Sequence, residues 1–423
     1  MNLGLLRIGN PVRPELCSPA PLYQRDVRRK IAFRYFYLYI FYCAIMKIYP
    51  RHGAVYAPSL SSRIFIKPEK KEIVIKLFNY TLKAFFVAAI CFALYTVGII
   101  AYGTLTEYHF EDTIKLSQDA ENLELLSDST FELISWNVGF FGLGEESDFF
   151  YDGGEDVFQS TETVRKNMDG VLQLIEAHPY VDFFFLQEVD SFSWRSQKLN
   201  FFQELEGLQN SYQTHFALNY ASNFVPIPIF NPLGPTFGGL LSMSKHEVKE
   251  AVRYDLRTES LWPKRLFFLK RCFLTQRISL EEKELVIINI HNSAYDTSGE
   301  KKNKEMNQLM GFAENEFAKG NYVIIGGDWN QKPPNYLPID ASKEYLDQGF
   351  SGSEIPEQWQ WVSDQWTPTN RRLDVPYNAE LSYTSVIDYY ILSPNLQADS
   401  VAVIDMAFAY SDHQPVYLKV SIK

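Results

Sequence analysis

The stretch that most narrows the folds open to this chain is residues 322–330, which read Tyr-Val-Ile-Ile-Gly-Gly-Asp-Trp-Asn. Four strand-forming residues lead into two glycines, and Asp328 and Asn330 then follow two positions apart. Side chains two positions apart in an extended chain lie on the same side, so these two groups can act on one small target. The pattern predicts a buried strand with functional side chains at its end. Many α/β proteins contain such a strand, so the motif needs support from elsewhere in the chain.

Five further segments combine an apolar run with polar side chains. Their polar residues are Asn137, Glu188, His291, Asp388 and the adjacent pair Asp412 and His413. A lone carboxylate such as Glu188, after Phe-Phe-Phe-Leu-Gln, needs a counter-charge, which a cation or a salt bridge would supply equally well. Single histidines are more often structural than catalytic, so His291 by itself does not indicate a site. Together the segments supply oxygen ligands, two imidazoles and two amides, the inventory for Mg²⁺-assisted attack of water on a phosphate.

The order of these motifs resembles that of the endonuclease/exonuclease/phosphatase superfamily, over residues 131–423. The matching motifs are Trp136-Asn137, Gln187-Glu188, Asn289-Ile290-His291, Gly327-Asp328-Trp329-Asn330, Ile387-Asp388-Tyr389 and Ser411-Asp412-His413. Alternating strands and helices by themselves predict an α/β (α+β) domain. The resemblance further implies a four-layer sandwich of two mixed β-sheets flanked by helices, with a site at the edge where strand ends converge.

The resemblance also implies how a metal is held. Glu188 is the first choice as ligand for Mg²⁺, with Mn²⁺ as a possible substitute. Asn137 is expected to help hold the metal or its water. Asp412 is expected to be either a second ligand or an outer carboxylate.

Catalytic roles follow from the same resemblance. Asp328 is expected to orient or deprotonate the attacking water, and Asn330 to fix the phosphate or the nucleophile. His413 is expected to face the phosphorus centre in its protonated form, aligned by Asp388. His291 is expected either to donate a proton to the leaving oxygen or to bind a phosphate oxygen.

Two other segments are candidates for contact with substrate. Arg371 and Arg372 precede the Asp388 strand and could clamp a phosphate, although a solvated loop explains them equally well. Residues 224–237 contain four prolines and are predicted to form an irregular rim over the cleft. The apolar residues of this rim fit a lipid-facing lip and ordinary loop packing equally well.

The N-terminal part of the chain indicates a membrane anchor. Residues 84–106 contain no charged side chain, and a helix of these 23 residues would be roughly 34 Å long, enough to cross a bilayer core. Lysines precede the stretch and acidic residues follow it, so residues 1–83 are expected in the cytoplasm and the catalytic domain outside. The alternatives are a cleaved signal with a site at residues 101–103 and a buried core helix. Residues 107–130 are predicted to be a linker.

Charge bears on the substrate. Residues 1–106 carry 15 Lys/Arg and 4 Asp/Glu, which leaves 25 against 47 for the rest of the chain. This acidic balance disfavours nucleic acid as a partner, and together with the predicted anchor and His291 it favours a lipid headgroup or a small phosphoester. The main prediction is therefore a membrane-anchored, metal-dependent phosphodiesterase or phosphatase. The alternatives are a nuclease and, less favoured, a catalytically silent binding module on the same scaffold. The oligomeric state stays open.

Overall fold

Two mixed β-sheets packed face to face carry the catalytic part of the chain. The computed structural model describes residues 68–116, 129–205, 211–294, 296, 299–334, 336–337, 342 and 355–423. The helices are α1 (Pro68–Leu105), α2 (Thr161–Ala177), α3 (Phe201–Glu204) and α4 (Glu300–Ala318). The strands are β1 (Thr113–Lys115), β2 (Thr130–Asn137), β3 (Phe183–Asp190), β4 (Gln213–Val225), β5 (Gly234–Ser244), β6 (Val248–Asp255), β7 (Cys272–Leu280), β8 (Lys283–His291), β9 (Tyr322–Asp328), β10 (Gln360–Val362), β11 (Asn370–Arg371), β12 (Thr384–Ser385), β13 (Asp388–Leu392), β14 (Leu396–Val403) and β15 (Val416–Ile422).

The strand order places the polar strand ends on a shared edge. One sheet runs β1-β6-β7-β8-β9-β13-β10 and the other β14-β15-β2-β3-β5-β4, while β11 and β12 pair separately. β2 and β3 are parallel neighbours, as are β8 and β9, and each pair is connected through a helix. In the first sheet the register sets Asp328 opposite His291 on one side and opposite Asp388 on the other. Three predicted site residues therefore stand in one row across three strands.

The main core lies between the two sheets. Leu133 and Phe185 of one sheet pack in the same buried cluster as Ile287, Ile324 and Tyr390 of the other. The amphipathic helix α2 covers the outer face of the second sheet, and α4 covers the outer face of the first. The layers are thus helix, sheet, sheet and helix, which confirms the predicted four-layer sandwich.

A polar bridge between the sheets sets the relative position of their strand ends. The buried Gln187 amide donates from Nε2 to Oδ1 of Asn289 over 2.8 Å. The Asn289 amide in turn donates from Nδ2 to the Leu241 carbonyl over 3.0 Å. A buried amide without partners is costly, so this pairing favours one alignment of β3 against β8. Glu188 and His291 follow this bridge by one and two residues.

Helix α1 is longer than the predicted membrane span. Its residues Ile75–Leu105 are long and apolar enough to cross a membrane, by length and composition. Residues from Lys83 onward belong to the same compact unit as the sheets, and the described part of the unit Met1–Leu82 is helical. Part of the predicted linker is strand β1, which pairs with β6. Residues 117–128 of the linker, and the expectations about residues 1–67, lie outside the described residues.

Candidate active site

Polar side chains from both sheets meet at the edge formed by the strand ends. Asn137 and His291 are the last residues of β2 and β8, and Asp328 is the last residue of β9. Asp388 is the first residue of β13, which runs antiparallel to β9, so it reaches the same edge. Burial of apolar strand interiors therefore delivers polar ends from distant parts of the sequence to one place.

A local irregularity in β3 aims Glu188 at this edge. The pairing of β3 with β5 shifts register between Leu186 and Val189, and Glu188 has a backbone φ of 55°. A bulge of this kind re-aims one side chain, and a left-handed φ on a non-glycine residue is uncommon. The side chain of Glu188 is 24% exposed, whereas that of Asp328 is almost fully buried. Glu188 is thus the carboxylate of this pair that solvent and ligands reach.

Asn137 and His291 lie between the carboxylates of Glu188 and Asp328. The Gly139 N–H donates to Asn137 Oδ1, which turns Nδ2 toward Asp328 Oδ2 at 3.0 Å and Glu188 Oε1 at 3.4 Å. His291 Nε2 lies 3.3 Å from the same Asp328 oxygen and 3.8 Å from the same Glu188 oxygen. Burial lowers the pKa of His291 well below its usual value, so the ring is neutral.

This donor set fits a hard divalent cation. The Glu188 and Asp328 carboxylates face the same amide and the same neutral imidazole, which bring no positive charge. The buried atoms Asp388 Oδ1 and His291 Nδ1 also have no hydrogen-bond partner within the described parts of the chain. The carboxylate oxygens available to such a cation belong to Glu188 and Asp328, while Asn137 offers its N–H₂ group to them.

His413 is held among three carboxylates. Its Nδ1 lies 2.8 Å from Asp388 Oδ2, and its Nε2 lies 3.8 Å from Asp328 Oδ2 and 3.9 Å from Asp412 Oδ2. Burial would lower the pKa of His413, but Asp388, Asp328 and Asp412 outweigh it and raise the pKa to about 10. Ligand atoms of Asp328, Asp388 and His413 lie within 4.8 Å of one another, a spacing that would suit a metal. A protonated imidazole cannot ligate a metal, so we interpret this trio as a hydrogen-bonded acid.

The two buried aspartates titrate near neutrality. Burial raises the pKa of Asp328 to about 6, although His413 acts in the opposite direction. Burial likewise raises the pKa of Asp412 to about 7, opposed by His413 and reinforced by Glu188. Carboxylates with raised pKa values beside a protonated histidine are typical of sites that handle protons and charged ligands. At pH 7 Asp328 is mostly ionised and able to accept a proton.

Comparison with known proteins places the chain in a family. The model of the Endonuclease/Exonuclease/phosphatase family matches residues 134–413, which is well over half of the chain. The chain belongs to this family. The resemblance predicted from the six motifs is thereby confirmed. The endonuclease/exonuclease/phosphatase family contains phosphoesterases and nucleases, and its members are generally hydrolases that depend on divalent metals. No curated protein matches the chain.

Several solved structures are similar at low sequence identity. An endonuclease/exonuclease/phosphatase from Beutenbergia cavernae DSM 12333 is 16% identical, with 70% of this chain and 72% of that chain covered and a TM-score of 0.47. A family protein from Leptotrichia buccalis C-1013-b is 15% identical, with 69% and 100% covered and a TM-score of 0.46. D. rerio TDP2, complexed with a single-strand DNA product, is 16% identical, with 70% and 100% covered and a TM-score of 0.44. These likenesses are too distant to assign an activity to this family member.

The side chains of the two arginines predicted to bind substrate, Arg371 and Arg372, are directed away from the polar side chains at the strand ends. The Arg371 guanidinium is buried and donates from Nη2 to the carbonyls of Gly144 and Ser147, at 2.7 and 3.0 Å. Because its donors are committed to the backbone of a loop, we assign Arg371 a bracing role in place of the predicted phosphate clamp. Arg372 Nε lies 3.6 Å from Asp374 on a partly exposed loop, and contact of Arg372 with substrate stays a prediction.

Asn330 and Asp412 are close to the cluster. Asn330 Nδ2 donates to Asp328 Oδ2 over 3.2 Å and to the Asn292 carbonyl over 3.0 Å. The turn that carries Asp412 is held because the Asp412 carbonyl accepts the Arg371 N–H at 2.9 Å. Through this contact the segment with the two arginines holds the turn that carries Asp412 and His413.

Two basic residues beside the site, Arg195 and Lys302, are not predicted by any sequence motif. Arg195 is buried and makes a two-point ion pair with Asp190, at 2.9 and 2.8 Å, with its guanidinium 4.0 Å from the centre of the Phe140 ring. Lys302 is buried and donates from Nζ to the Asn330 carbonyl over 3.0 Å. Burial lowers the pKa of Lys302. Arg195 lies in no motif and Lys302 lies in an ordinary charged helix, so no pattern in the sequence distinguishes them.

Proposed function

We propose that this protein is a Mg²⁺-dependent phosphoesterase that hydrolyses a lipid headgroup or a small phosphoester by direct attack of water. The observation that carries the proposal is that two carboxylates, Glu188 and Asp328, face the same Asn137 amide, with the protonated His413 3.8 Å from Asp328. Membership of a family of phosphoesterases and nucleases supports the reaction class.

Each residue has a distinct task in the proposed reaction. Glu188 and Asp328 would hold the cation, with Asp412 nearby as a further carboxylate. Mg²⁺, when bound, supplies positive charge at the phosphate and lowers the pKa of a water molecule. Asp328 takes a proton of the attacking water as the water oxygen bonds to phosphorus, the bond from phosphorus to the leaving oxygen breaks, and solvent protonates the leaving oxygen.

The histidines divide the remaining work. His413 stays protonated because of its carboxylate neighbours, so its Nε2–H can donate a hydrogen bond to a phosphoryl oxygen. Asp388 holds the other ring nitrogen at 2.8 Å and orients the ring. The neutral His291 is a poor acid, so we assign it to binding a phosphate oxygen and not to protonating the leaving group.

The test compares substrates under one set of conditions. The full chain in detergent or vesicles is offered bis(p-nitrophenyl) phosphate, p-nitrophenyl phosphate, phospholipid vesicles and plasmid DNA. Hydrolysis that disappears with EDTA and with Asp328→Ala, and persists in Glu314→Gln, supports the proposal; Glu314 is an exposed carboxylate on α4. Cleavage of DNA alone, with steep dependence on salt, would replace it with a nuclease. Failure with every substrate, together with no binding of Mg²⁺, would favour the silent binding module.

We also propose that α1 anchors the enzyme in a membrane, with residues 1–83 on the cytoplasmic side. The length and apolar composition of Ile75–Leu105 support the anchor. The basic residues before the span support the orientation. Protease added to intact cells should remove the catalytic domain and leave an N-terminal fragment in the membrane. A chain that starts near residue 104 after secretion would instead identify a cleaved signal.

A further inference from the structure

A surface beside the active site exposes large apolar side chains. We define the apolar rim as residues 226–230 and 261–263, two loops that follow β4 and β6 respectively. Phe230 is fully exposed, Leu261 is 87% exposed, and Trp262 and Ile229 are about half exposed, at 53% and 50%. No Asp, Glu, Lys or Arg occurs anywhere in residues 207–244. Apolar groups clustered in this way are unfavourable in water and mark a surface that contacts something apolar.

The apolar rim and helix α1 enclose a cleft. The helix contributes Phe92, Tyr95 and Ile99, and the loops contribute Ile227, Pro263 and Phe267. The cleft has a volume of about 330 Å³, and its lining is almost wholly apolar, with Lys264 among its few polar residues. Such a shape and chemistry suit a hydrocarbon chain better than a polar ligand.

The position of the cleft along α1 sets its depth. Phe92 precedes the last helical residue, Leu105, by 13 positions, and Ile100 precedes it by five. At about 1.5 Å per residue the cleft therefore extends from roughly 8 to 20 Å before the helix end. If the uncharged residues 84–106 fill a hydrocarbon core of about 30 Å, this segment lies inside the bilayer. The loops beside it then lie within the same leaflet.

The backbone of the first loop suits an environment without water. Pro226, Pro228 and Pro232 have no N–H group to satisfy. The N–H groups of Asn231 and Leu233 donate to the carbonyls of Pro228 and Ile227, at 3.1 and 3.0 Å. A lipid-exposed loop must satisfy its polar groups internally, and this loop reduces the number of groups that need a partner.

Polar contacts fix the second loop to the end of α1. The Trp262 indole donates from Nε1 to Thr104 Oγ1 over 3.2 Å. The buried Glu107 carboxylate pairs with Arg265 at 3.0 Å and with Lys270 at 3.1 Å. A tryptophan and basic residues just beyond an apolar span are typical of the membrane–water interface. The helix end therefore cannot move away from the apolar rim without breaking buried ion pairs.

The apolar rim and the active site occupy the same edge of the sandwich. The Tyr220 hydroxyl donates to the carbonyl of Phe267, which lines the cleft. The Arg195 guanidinium lies 5.5 Å from the centre of the Tyr220 ring and is paired with Asp190, two residues after Glu188. On the other side, Arg271 follows Lys270 and donates to the His291 carbonyl over 3.2 Å. A few side chains thus connect the cleft with both Glu188 and His291.

We propose that the apolar rim inserts into the leaflet next to the catalytic domain, and that the cleft takes one acyl chain of a phospholipid in that membrane. The headgroup phosphoester of such a lipid would then face the neighbouring active site. This inference rests on the proposed phosphoesterase function for its substrate. The insertion itself is independent of catalysis and can be measured without it.

Fluorescence quenching by lipid tests the insertion. The full chain is reconstituted into phosphatidylcholine vesicles with and without bromine on the acyl chains, which quenches tryptophans within the bilayer. Trp262→Phe is expected to remove most of the quenchable emission. Trp366→Phe is the matched control, because Trp366 is 85% exposed but follows β10, the edge strand on the far side of its sheet from β1. Unchanged quenching in Trp262→Phe would overturn the insertion, and a dimer found in its place would assign the rim to a second copy of the chain.

Substrate preference tests the contact of the apolar rim with a lipid substrate. The double variant Phe230→Ser and Leu261→Ser is expected to lose about tenfold or more in hydrolysis of phospholipid in vesicles, as expected for two large apolar side chains that leave lipid. Hydrolysis of the soluble diester should stay within about twofold, because the catalytic cluster is untouched. Tyr180→Ser is the control, since Tyr180 is 54% exposed and precedes β3 at the opposite end of the strands.

The outcomes separate the two proposals. An equal loss with both substrates would show that the apolar rim supports the fold only, and unchanged lipid hydrolysis would show that it contacts no substrate; either result overturns the inference. If the unaltered protein hydrolyses neither substrate, the proposed phosphoesterase function is wrong. The quenching result would then still decide whether the rim enters the bilayer.

Discussion

Two buried clusters of charged side chains shift the pKa values of their carboxylates in opposite directions. At the end of α4, Glu316 receives Arg277 at 2.7 and 2.8 Å, Lys319 at 2.8 Å and Asn321 at 2.9 Å. Although burial opposes ionisation, these donors lower the pKa of Glu316 to about 2. At the active site, burial raises the pKa of Asp328 to about 6 and that of Asp412 to about 7. The first cluster satisfies its charge, whereas the second retains unbalanced charge.

This difference separates a structural cluster from a functional one. A carboxylate with enough donors stabilises the fold and has nothing left to offer a ligand. Asp328 accepts hydrogen bonds from the neutral amides of Asn137 and Asn330, which do not offset its burial, so its ionised form costs folding free energy and favours binding of a cation or a proton. Glu316, away from the site, is therefore paired with cationic side chains, whereas Asp328, at the site, is held mainly by neutral amides.

The largest expected effect is that of Asp328→Asn. Loss of the carboxylate should reduce kcat by about 10³-fold or more, because both the base and a metal ligand are removed. The free energy of unfolding should stay the same or rise, since a buried carboxylate with a raised pKa destabilises the fold above its unfolded pKa. Kinetics and urea unfolding at pH 7 measure the two effects. A large loss of stability would show that Asp328, like Glu316, stabilises the fold.

Asp388→Asn should have the next largest effect, a loss of about 10²-fold in kcat. Asp388 is the closest carboxylate to His413, so its removal should lower the pKa of this histidine from about 10. The proposed role needs the protonated ring. The fall in activity on the alkaline side of the pH profile should therefore begin at a lower pH than in the unaltered protein. An unshifted alkaline limb would show that Asp388 does not maintain the charge of His413.

The pH dependence of kcat/KM should show an acid limb near pH 6. Asp328 is protonated below its pKa of about 6 and cannot accept a proton from water, so the rate should fall about tenfold per pH unit below that point. Higher Mg²⁺ concentration should move the limb to lower pH, because a cation favours the ionised carboxylate. If the position of the acid limb does not change with Mg²⁺ concentration, Asp328 is not a ligand of the metal.

Glu316→Gln should affect stability and leave kcat within about twofold. Removal of the charge should cost about 1–3 kcal/mol at pH 7, because Arg277 loses its main partner in a buried position. The folded pKa of about 2 lies below the usual 4.5, so the ionic contribution is complete above pH 4.5 and is lost as pH falls toward 2. The stability difference from the unaltered protein should narrow over the same window.

An exposed pair supplies the control for that measurement. Arg165 and Glu204 lie 3.0 Å apart with side chains 46% and 36% exposed. Arg165→Gln should change the free energy of unfolding by less than about 0.5 kcal/mol. A loss as large as that of Glu316→Gln would mean that burial is not what distinguishes the structural cluster.

Much of the site was predictable because its residues follow apolar strands. Asn137, His291 and Asp328 end runs of strand-forming residues, a signal that local sequence carries directly. Arg371 had no such signal, and its place in the sequence suggested a phosphate clamp where the structure has a loop brace. Arg195 was missed because its partners, Asp190 and the Phe140 ring, say nothing in the sequence about proximity to the site.

The sequence by itself determined the alternation of strands and helices, the presence of one long apolar helix and the residues at the strand ends, because side-chain period and composition are local properties. Only the tertiary structure decided that Asp328 stands between His291 and Asp388, since register depends on the pairing of strands far apart in the chain. The protonation states were decided there as well. A pKa depends on burial and on neighbouring charges, and both exist only once the two sheets have packed together.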